Sequence, residues 1–158
     1  MRKEFARLLH QAMDKNSKIY LITADLGYGV LDDIFRDFPE RAVNVGASEQ
    51  LMIGFAVGLA HAGFEPVCYS ISSFLLYRPF ELIRLYLNHE GARVKLVGSG
   101  RDKDYGHDGF THWAEDDVNI VRAAFPRVRL HKPPRLTEEI VNEFLTYSGP
   151  SYLNLSRF

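Results

Sequence analysis

Residues 41–71 read RAVNVGASEQLMIGFAVGLAHAGFEPVCYSI, and this stretch decides the fold. RAVNV and PVCYSI are short apolar runs of the kind that become buried strands. Between them, SEQLMIGFAVGLAHAG has the length of a helix and closes on Gly63. Two strands joined through a helix make a βαβ unit, whose strands lie parallel. The same alternation fills the rest of the chain. On the N-terminal side, Phe5, Leu8, Leu9, Ala12 and Met13 recur at helical spacing over residues 2–15. KIYLITAD (18–25) is a strand ending at an Asp-Leu-Gly turn, and VLDDIFRDF is a short helix stopped by Pro39. On the C-terminal side come a helix near 76–89, the strand RVKLVG (93–98) and a polar, glycine-rich loop over 99–113. A helix over 114–124, the strand VRLHK, the helix LTEEIVNEFLTY and the strand SYLNLS complete the series.

Strands of nearly continuous hydrophobicity alternating with helices predict an α/β fold: about six parallel strands with helices on both faces. There is no repeat, linker or low-complexity segment, so residues 1–158 read as a single domain. Ligands in such sheets bind outside the carboxyl ends of the strands. That rule nominates Asp25–Gly29, Gly46–Glu49, Ser70–Phe74 and Gly98–His112.

Composition removes several function classes. With 25% charged residues, 46% hydrophobic ones and a net charge of −1, the chain lacks the basic excess of a nucleic-acid binder. No apolar run reaches the ~20 residues that span a bilayer. Met1 leads into amphipathic RKEFARLLHQAM rather than a signal sequence. The single cysteine, Cys68, sits in an apolar run and reads as a core residue, which fits a reducing compartment and a cytoplasmic protein. Neither GxxxxGK[ST] nor GxGxxG is present, so the usual phosphate loops are missing.

Glu49 is the lone acid at the mouth of an almost uncharged segment. A carboxylate in a first helical turn gains a few tenths of a kcal/mol from the dipole, and with Ser48 as cap that could be its whole role. Gly54, Gly58 and Ala62, however, form a strip of small residues on a helix apolar all round, the pattern of a buried, closely approached helix. An acid at its tip is expected to be desolvated, with a raised pKa suited to proton exchange. His107, Asp108 and His112 invite a metal reading, but no further ligand follows at fixed short spacing, and no metal site is assigned. His112 fits better as a proton donor or substrate-bonding residue. Phe74, Tyr77 and Phe80 recur every third residue just past a strand end, as core or as a stacking wall.

Together these pieces resemble the pyrimidine-binding domain of the transketolase family of thiamine-diphosphate enzymes. TADLG follows the first strand, as in the family. FPERAVNVGASEQLMIGFAVGLAHAG resembles its arginine/asparagine–glycine–x–x–Glu segment with the small-residue helix behind it. SISSFLLYRPFELIR resembles its aromatic segment, and DGFTH its DGPTH loop. The resemblance implies the thiamine-diphosphate-binding fold and a role for each candidate. Glu49 would bond the pyrimidine ring nitrogen and, with His112, be catalytic. Phe74 would stack on the ring, Tyr77 and Phe80 would complete the aromatic pocket, and Asp25 and Leu26 would border the cofactor. Asp108 and His112 would contact the substrate, with Arg2 and Arg157 at a substrate phosphate.

The departures are Gly100 in place of a histidine, Gly29 for a phosphate-binding serine, Phe110 for the proline of DGPTH, and Trp113 for a glutamine. The family's GDG…N motif, which holds Mg²⁺ and the diphosphate, has no counterpart in the chain. The resemblance therefore implies a split enzyme. This pyrimidine-binding subunit would pair with a separate diphosphate-binding transketolase subunit that supplies the Mg²⁺ ligands, as an α2β2 assembly or, alone, a homodimer. It would move a two-carbon ketol unit between sugars, with phosphorylated ones expected. The alternatives are a β-type subunit of a 2-oxo acid dehydrogenase, a deoxyxylulose-type synthase, and a non-catalytic partner of a complete enzyme.

Overall fold

Six strands form one sheet: β1 (Ile19–Thr23), β2 (Ala42–Asn44), β3 (Glu65–Ile71), β4 (Lys95–Ser99), β5 (Arg129–His131) and β6 (Ser151–Leu155). Their order is β2-β1-β3-β4-β6-β5, and every neighbouring pair is parallel. The computed structural model describes residues 1–158. Because successive strand side chains point to opposite faces, adjacent residues feed two separate cores. Leu21, Tyr69, Val97 and Leu153 meet Phe5, Leu9 and Met13 of α1 (Arg2–Lys15) and Val141 and Phe144 of α7 (Glu138–Thr146) on one face. Ile22, Cys68, Leu96 and Tyr152 meet Met52 and Ile53 of α3 (Glu49–His61) and Val121 of α6 (Asp117–Ala124) on the other. At roughly 1.5–3 kcal/mol for each fully buried large apolar side chain, these faces outweigh any local propensity.

The helix expected near 76–89 differs from its sequence reading. It begins at Ser72, directly after β3, as α4 (Ser72–Tyr77). It breaks at Pro79, whose ring crowds the preceding turn and which has no N–H for the helical ladder. Phe80–Leu82 (α5) then runs on as a π-helix over Ile83–His89. The 99–113 loop contains two short 3-10 turns, Gly106–Asp108 and Phe110–His112, and the helix after it starts at Asp117.

The chain runs from β1 outward to the edge strand β2 and returns to place β3 on the other side of β1. The strand order therefore reverses between β1 and β3, and the loops leaving these strands splay apart to form a crevice. At the opposite, amino-terminal edge, Lys95 is 1% exposed and donates to the carbonyls of Tyr147 (2.6 Å) and Gly149 (2.8 Å). No helix is long and apolar enough to cross a membrane.

Candidate functional site

A cavity of about 200 Å³ opens at this crevice. The loop after β1 contributes Ala24, Asp25 and Leu26, the start of α3 contributes Ala47 and Glu49, and β3 with α4 contributes Ser70, Ile71, Phe74 and Arg78. Asn44 ties the first two loops together, its Oδ1 accepting from the amides of Asp25 (2.9 Å) and Gly46 (3.0 Å). That tether helps hold Asp25 in the left-handed region (φ 51°), an uncommon conformation for a residue with a side chain.

Glu49 is 1% exposed, although it opens a helix. Ser48 occupies the cap position without a capping side-chain bond, so the carboxylate belongs to the cavity rather than to a capping motif. Its Oε1 accepts from the Ser70 hydroxyl at 2.9 Å. Its Oε2 accepts from Arg78 Nη1 at 2.6 Å, and the same guanidinium lies over the Phe74 ring, 3.8 Å from the centroid. The acid that reads as lone in the sequence thus has a counter-charge. Arg78 does not stand out in the sequence. The one signal for it is its position four residues after Phe74, one helical turn on.

Beyond Phe74 a row of rings leads away from Glu49. The His112 imidazole stands edge-on to Phe74 at 4.8 Å, and Tyr105 lies 6.1 Å from His112. Arg157 covers Tyr105 at 4.8 Å, and Arg2 donates through Nε to the Arg157 carbonyl at 3.1 Å. Both arginines are therefore anchored to the site's far wall. His112 Nδ1 pairs with Thr111 Oγ1 at 2.9 Å, leaving Nε2 for a ligand. Gly100 is explained here: its φ is +88°, and an added Cβ would collide with the Tyr105 ring. Tyr105 occupies the space that a side chain at position 100 would need.

Three further candidates lie outside the cavity lining. Tyr77 is 39% exposed and donates to Asp116, on a separate groove of about 350 Å³ shared with Phe110 and Trp113. Phe80, beyond the Pro79 break, packs on Phe125 at 4.9 Å. Asp108 is exposed and pairs with His107 at 3.1 Å. No group of three or more His, Cys, Asp or Glu side chains is placed to hold a metal ion.

A second buried acid sits at the same edge. Asp117, 1% exposed in the first turn of α6, accepts from Tyr152 Oη (3.0 Å), Asn154 Nδ2 (2.6 Å) and Lys132 Nζ (3.3 Å). Burial and the Asp117 charge push the Tyr152 hydroxyl far up. Helix α3 departs from the burial all round that its composition predicts. Met52, Ile53, Ala56 and Val57 face the sheet, while Leu51 (57% exposed), Gly54, Phe55 (39%), Gly58 and Ala62 remain open along the helix that Glu49 begins. The chain by itself leaves this apolar face uncovered.

The family profile described as "Transketolase, pyrimidine binding domain" matches residues 1–157. A putative transketolase C-terminal section from Methanocaldococcus jannaschii is 32% identical over 160 residues, covering 99% of this chain and 50% of that protein. One of the subunits of an apulose-4-phosphate transketolase, from Actinobacillus succinogenes, is 33% identical over 122 residues, 76% of this chain and 39% of that one. The chain spans about half the length, or less, of these curated relatives. Among solved structures, a split-gene transketolase described as an inactive β4 tetramer aligns with a TM-score of 0.85 at 28% identity, covering 99% of this chain and 51% of that one.

Proposed function

Because the chain belongs to the family of transketolase pyrimidine-binding domains, we propose that it supplies the aminopyrimidine half of a thiamine-diphosphate site in a transketolase-like transferase. The observation that carries this reading is the pairing of Glu49 with Phe74: a buried acid with one oxygen bonded inward and the other on a cavity, beside an aromatic face. The residues present fit an aminopyrimidine ring. A planar N–H donor, the Arg78 guanidinium, already spans both the Phe74 face and Glu49 Oε2, and a ring with a protonated edge makes the same two contacts.

When bound, thiamine diphosphate supplies the nucleophilic carbon that carries a two-carbon ketol unit. Ser70 fixes one Glu49 oxygen, so the other holds and exchanges the proton at the ring nitrogen. Phe74 orients the ring. His112, its Nδ1 occupied by Thr111, presents Nε2 to a substrate oxygen; Asp108, exposed and paired with His107, would have to leave that pair to meet a substrate hydroxyl. Arg157 and Arg2, at the end of the ring row, suit a substrate phosphate, which an always-charged fork of donors binds well. Asp25 and Leu26 border the ring; Tyr77 and Phe80 are left to other surfaces.

Mg²⁺ and the diphosphate then belong to a separate subunit, in an α2β2 assembly that closes over the open face of α3. Leu51 and Phe55 supply the apolar area for that contact, next to the acid it would enclose. The substrates would be sugars carrying phosphate. Calorimetry tests the reading. Thiamine diphosphate with Mg²⁺ should bind tightly only when a partner bearing GDG…N is present. Equally tight binding to this chain alone would refute the divided site.

A further inference from the structure

We propose that Arg78 determines which ring enters the site, by filling the ring's place until a ligand displaces it; this rests on the aminopyrimidine reading above. Its guanidinium is flat, stacks 3.8 Å from the Phe74 centroid and donates to Glu49 Oε2 at 2.6 Å. It lines the same cavity as both partners. A planar ring with an N–H edge makes those same two contacts, so ring and guanidinium exclude each other.

The tether is built to be released. Arg78 has five N–H donors, and the bond to Glu49 is the only hydrogen bond its guanidinium makes. Arg41, by contrast, lies in the sheet's lower loops with four bonds to the carbonyls of Met13, Asn16 and Ile19. Arg41 is a fixed structural arginine. The Arg78 side chain is 45% exposed and follows the last residue of α4, just before the Pro79 break, so it has solvent to swing into. Its charge is well hydrated there, whereas Glu49 stays buried and needs a new donor at once.

Selectivity follows from that asymmetry. A ring with an N–H donor replaces both contacts that Arg78 gives up. A ring without one recovers the stack but leaves the buried carboxylate unpaired, and loses to the guanidinium. Arg78 thus filters for planar, N–H-donating heteroaromatics and against plain apolar rings.

The test uses the chain with arginine side chains and phenylalanine rings labelled for NMR, and two probes: 4-amino-5-hydroxymethyl-2-methylpyrimidine and 2-methylpyrimidine, which lacks the donor. Saturating the wild-type chain with the amino probe should move the Arg78 Nη–H resonances away from their positions over the Phe74 ring to solvent-exposed values. Arg78→Ala should bind the amino probe about tenfold more tightly, the factor equivalent to 1.4 kcal/mol, and should discriminate less between the probes. Arg78→Lys, charged but not flat, should fall between. An Arg78 resonance that stays fixed while Phe74 shifts would overturn the proposal, and that measurement on wild type decides the matter if Arg78→Ala does not fold. So would unchanged or weaker probe binding by a folded Arg78→Ala chain. If the amino probe moves neither Phe74 nor Arg78 in any variant, with or without the partner subunit, the aminopyrimidine reading falls, and the proposal with it.

Discussion

Glu49 and Asp117 are two buried acids in the first turns of two helices, at the same edge of one sheet, each 1% exposed. They differ in who holds them. Asp117 is gripped by side chains from β5's flank and β6: Tyr152, Asn154 and Lys132, with the Val118 amide as a fourth donor. Three of those partners are buried or part-buried themselves and have nowhere to go. Glu49 has two donors, and one of them, Arg78, is nearly half exposed. Burial therefore does not distinguish the acid proposed to work, Glu49, from the one proposed to be structural, Asp117. The distinguishing property is whether a partner can leave without opening the core. The largest expected effect tests that distinction directly. In the complex with a diphosphate-binding partner, Glu49→Gln should reduce turnover by roughly 10²–10⁴-fold, the range for a positioned proton-transfer group. Its melting temperature should stay close to wild type, because the amide keeps a bond to Ser70. Full turnover would remove Glu49 from the chemistry.

Asp117→Ala should invert the pattern. It strands Asn154 Nδ2, the Tyr152 hydroxyl and Lys132 around a hole, and breaking a buried charged network by removing one member costs about 3–5 kcal/mol. Urea unfolding should register that loss, while the amino-ring probe should still bind the folded fraction with wild-type affinity. A stable Asp117→Ala chain with a damaged ring site would mean that the two acids had been assigned the wrong way round.

The sequence displays one of these acids and hides the other. Glu49 stands out because its surroundings are uncharged, and a lone acid before an apolar helix is visible in one dimension. Asp117 follows Glu115 and Asp116 in AEDDV and looks like any acidic helix start. Its burial depends on Tyr152 and Asn154, thirty-five or more residues away, which β6 brings alongside β4. The strands, their parallel arrangement and the position of the crevice were legible because hydrophobic runs and helix lengths are local. Phe74, Asp25 and Leu26 could be assigned to loops at the crevice for the same reason. Arg78 was marked only by its place one turn after Phe74, which does not say that a guanidinium folds back over the ring, and nothing local says that a tyrosine fills the space above Gly100. Phe80 continues a helical spacing that Pro79 ends, and periodicity carried across a proline loses its meaning; Tyr77, in the same helix as Phe74, is turned to Asp116 instead.

Lys95 extends the comparison to a buried cation, at the other end of the sheet. Burial pushes its ammonium down to about 7 from the usual 10.5. In the folded chain Lys95 therefore sheds its proton above that value, while the unfolded chain keeps it until about 10.5. The unfolded state then binds more protons, so this group makes stability rise with pH across that window, by at most about 1.4 kcal/mol per pH unit. The bonds to Tyr147 and Gly149 carbonyls work against the shift. Chemical unfolding at pH ~7 and pH ~9, both inside the window that linkage defines, should show wild type gaining stability relative to Lys95→Met. A parallel pH response in the two proteins would mean that Lys95 stays charged, with its carbonyl bonds outweighing its burial.

The smallest expected effect falls on Tyr77. Its hydroxyl donates to Asp116, both groups lie on the exposed groove side, and a bond to a carboxylate there is worth about 1–1.5 kcal/mol, the low end for a charged acceptor. Tyr77→Phe should therefore shift the melting temperature slightly and leave amino-ring affinity unchanged, whereas Phe74→Ala should weaken it. The two aromatics are three residues apart in one helix, so the pair compares position with side-chain chemistry. If Tyr77→Phe also weakened the ring, the groove and the cavity would have to communicate through α4, and Asp116, next to the structural acid Asp117, would become the link between the two.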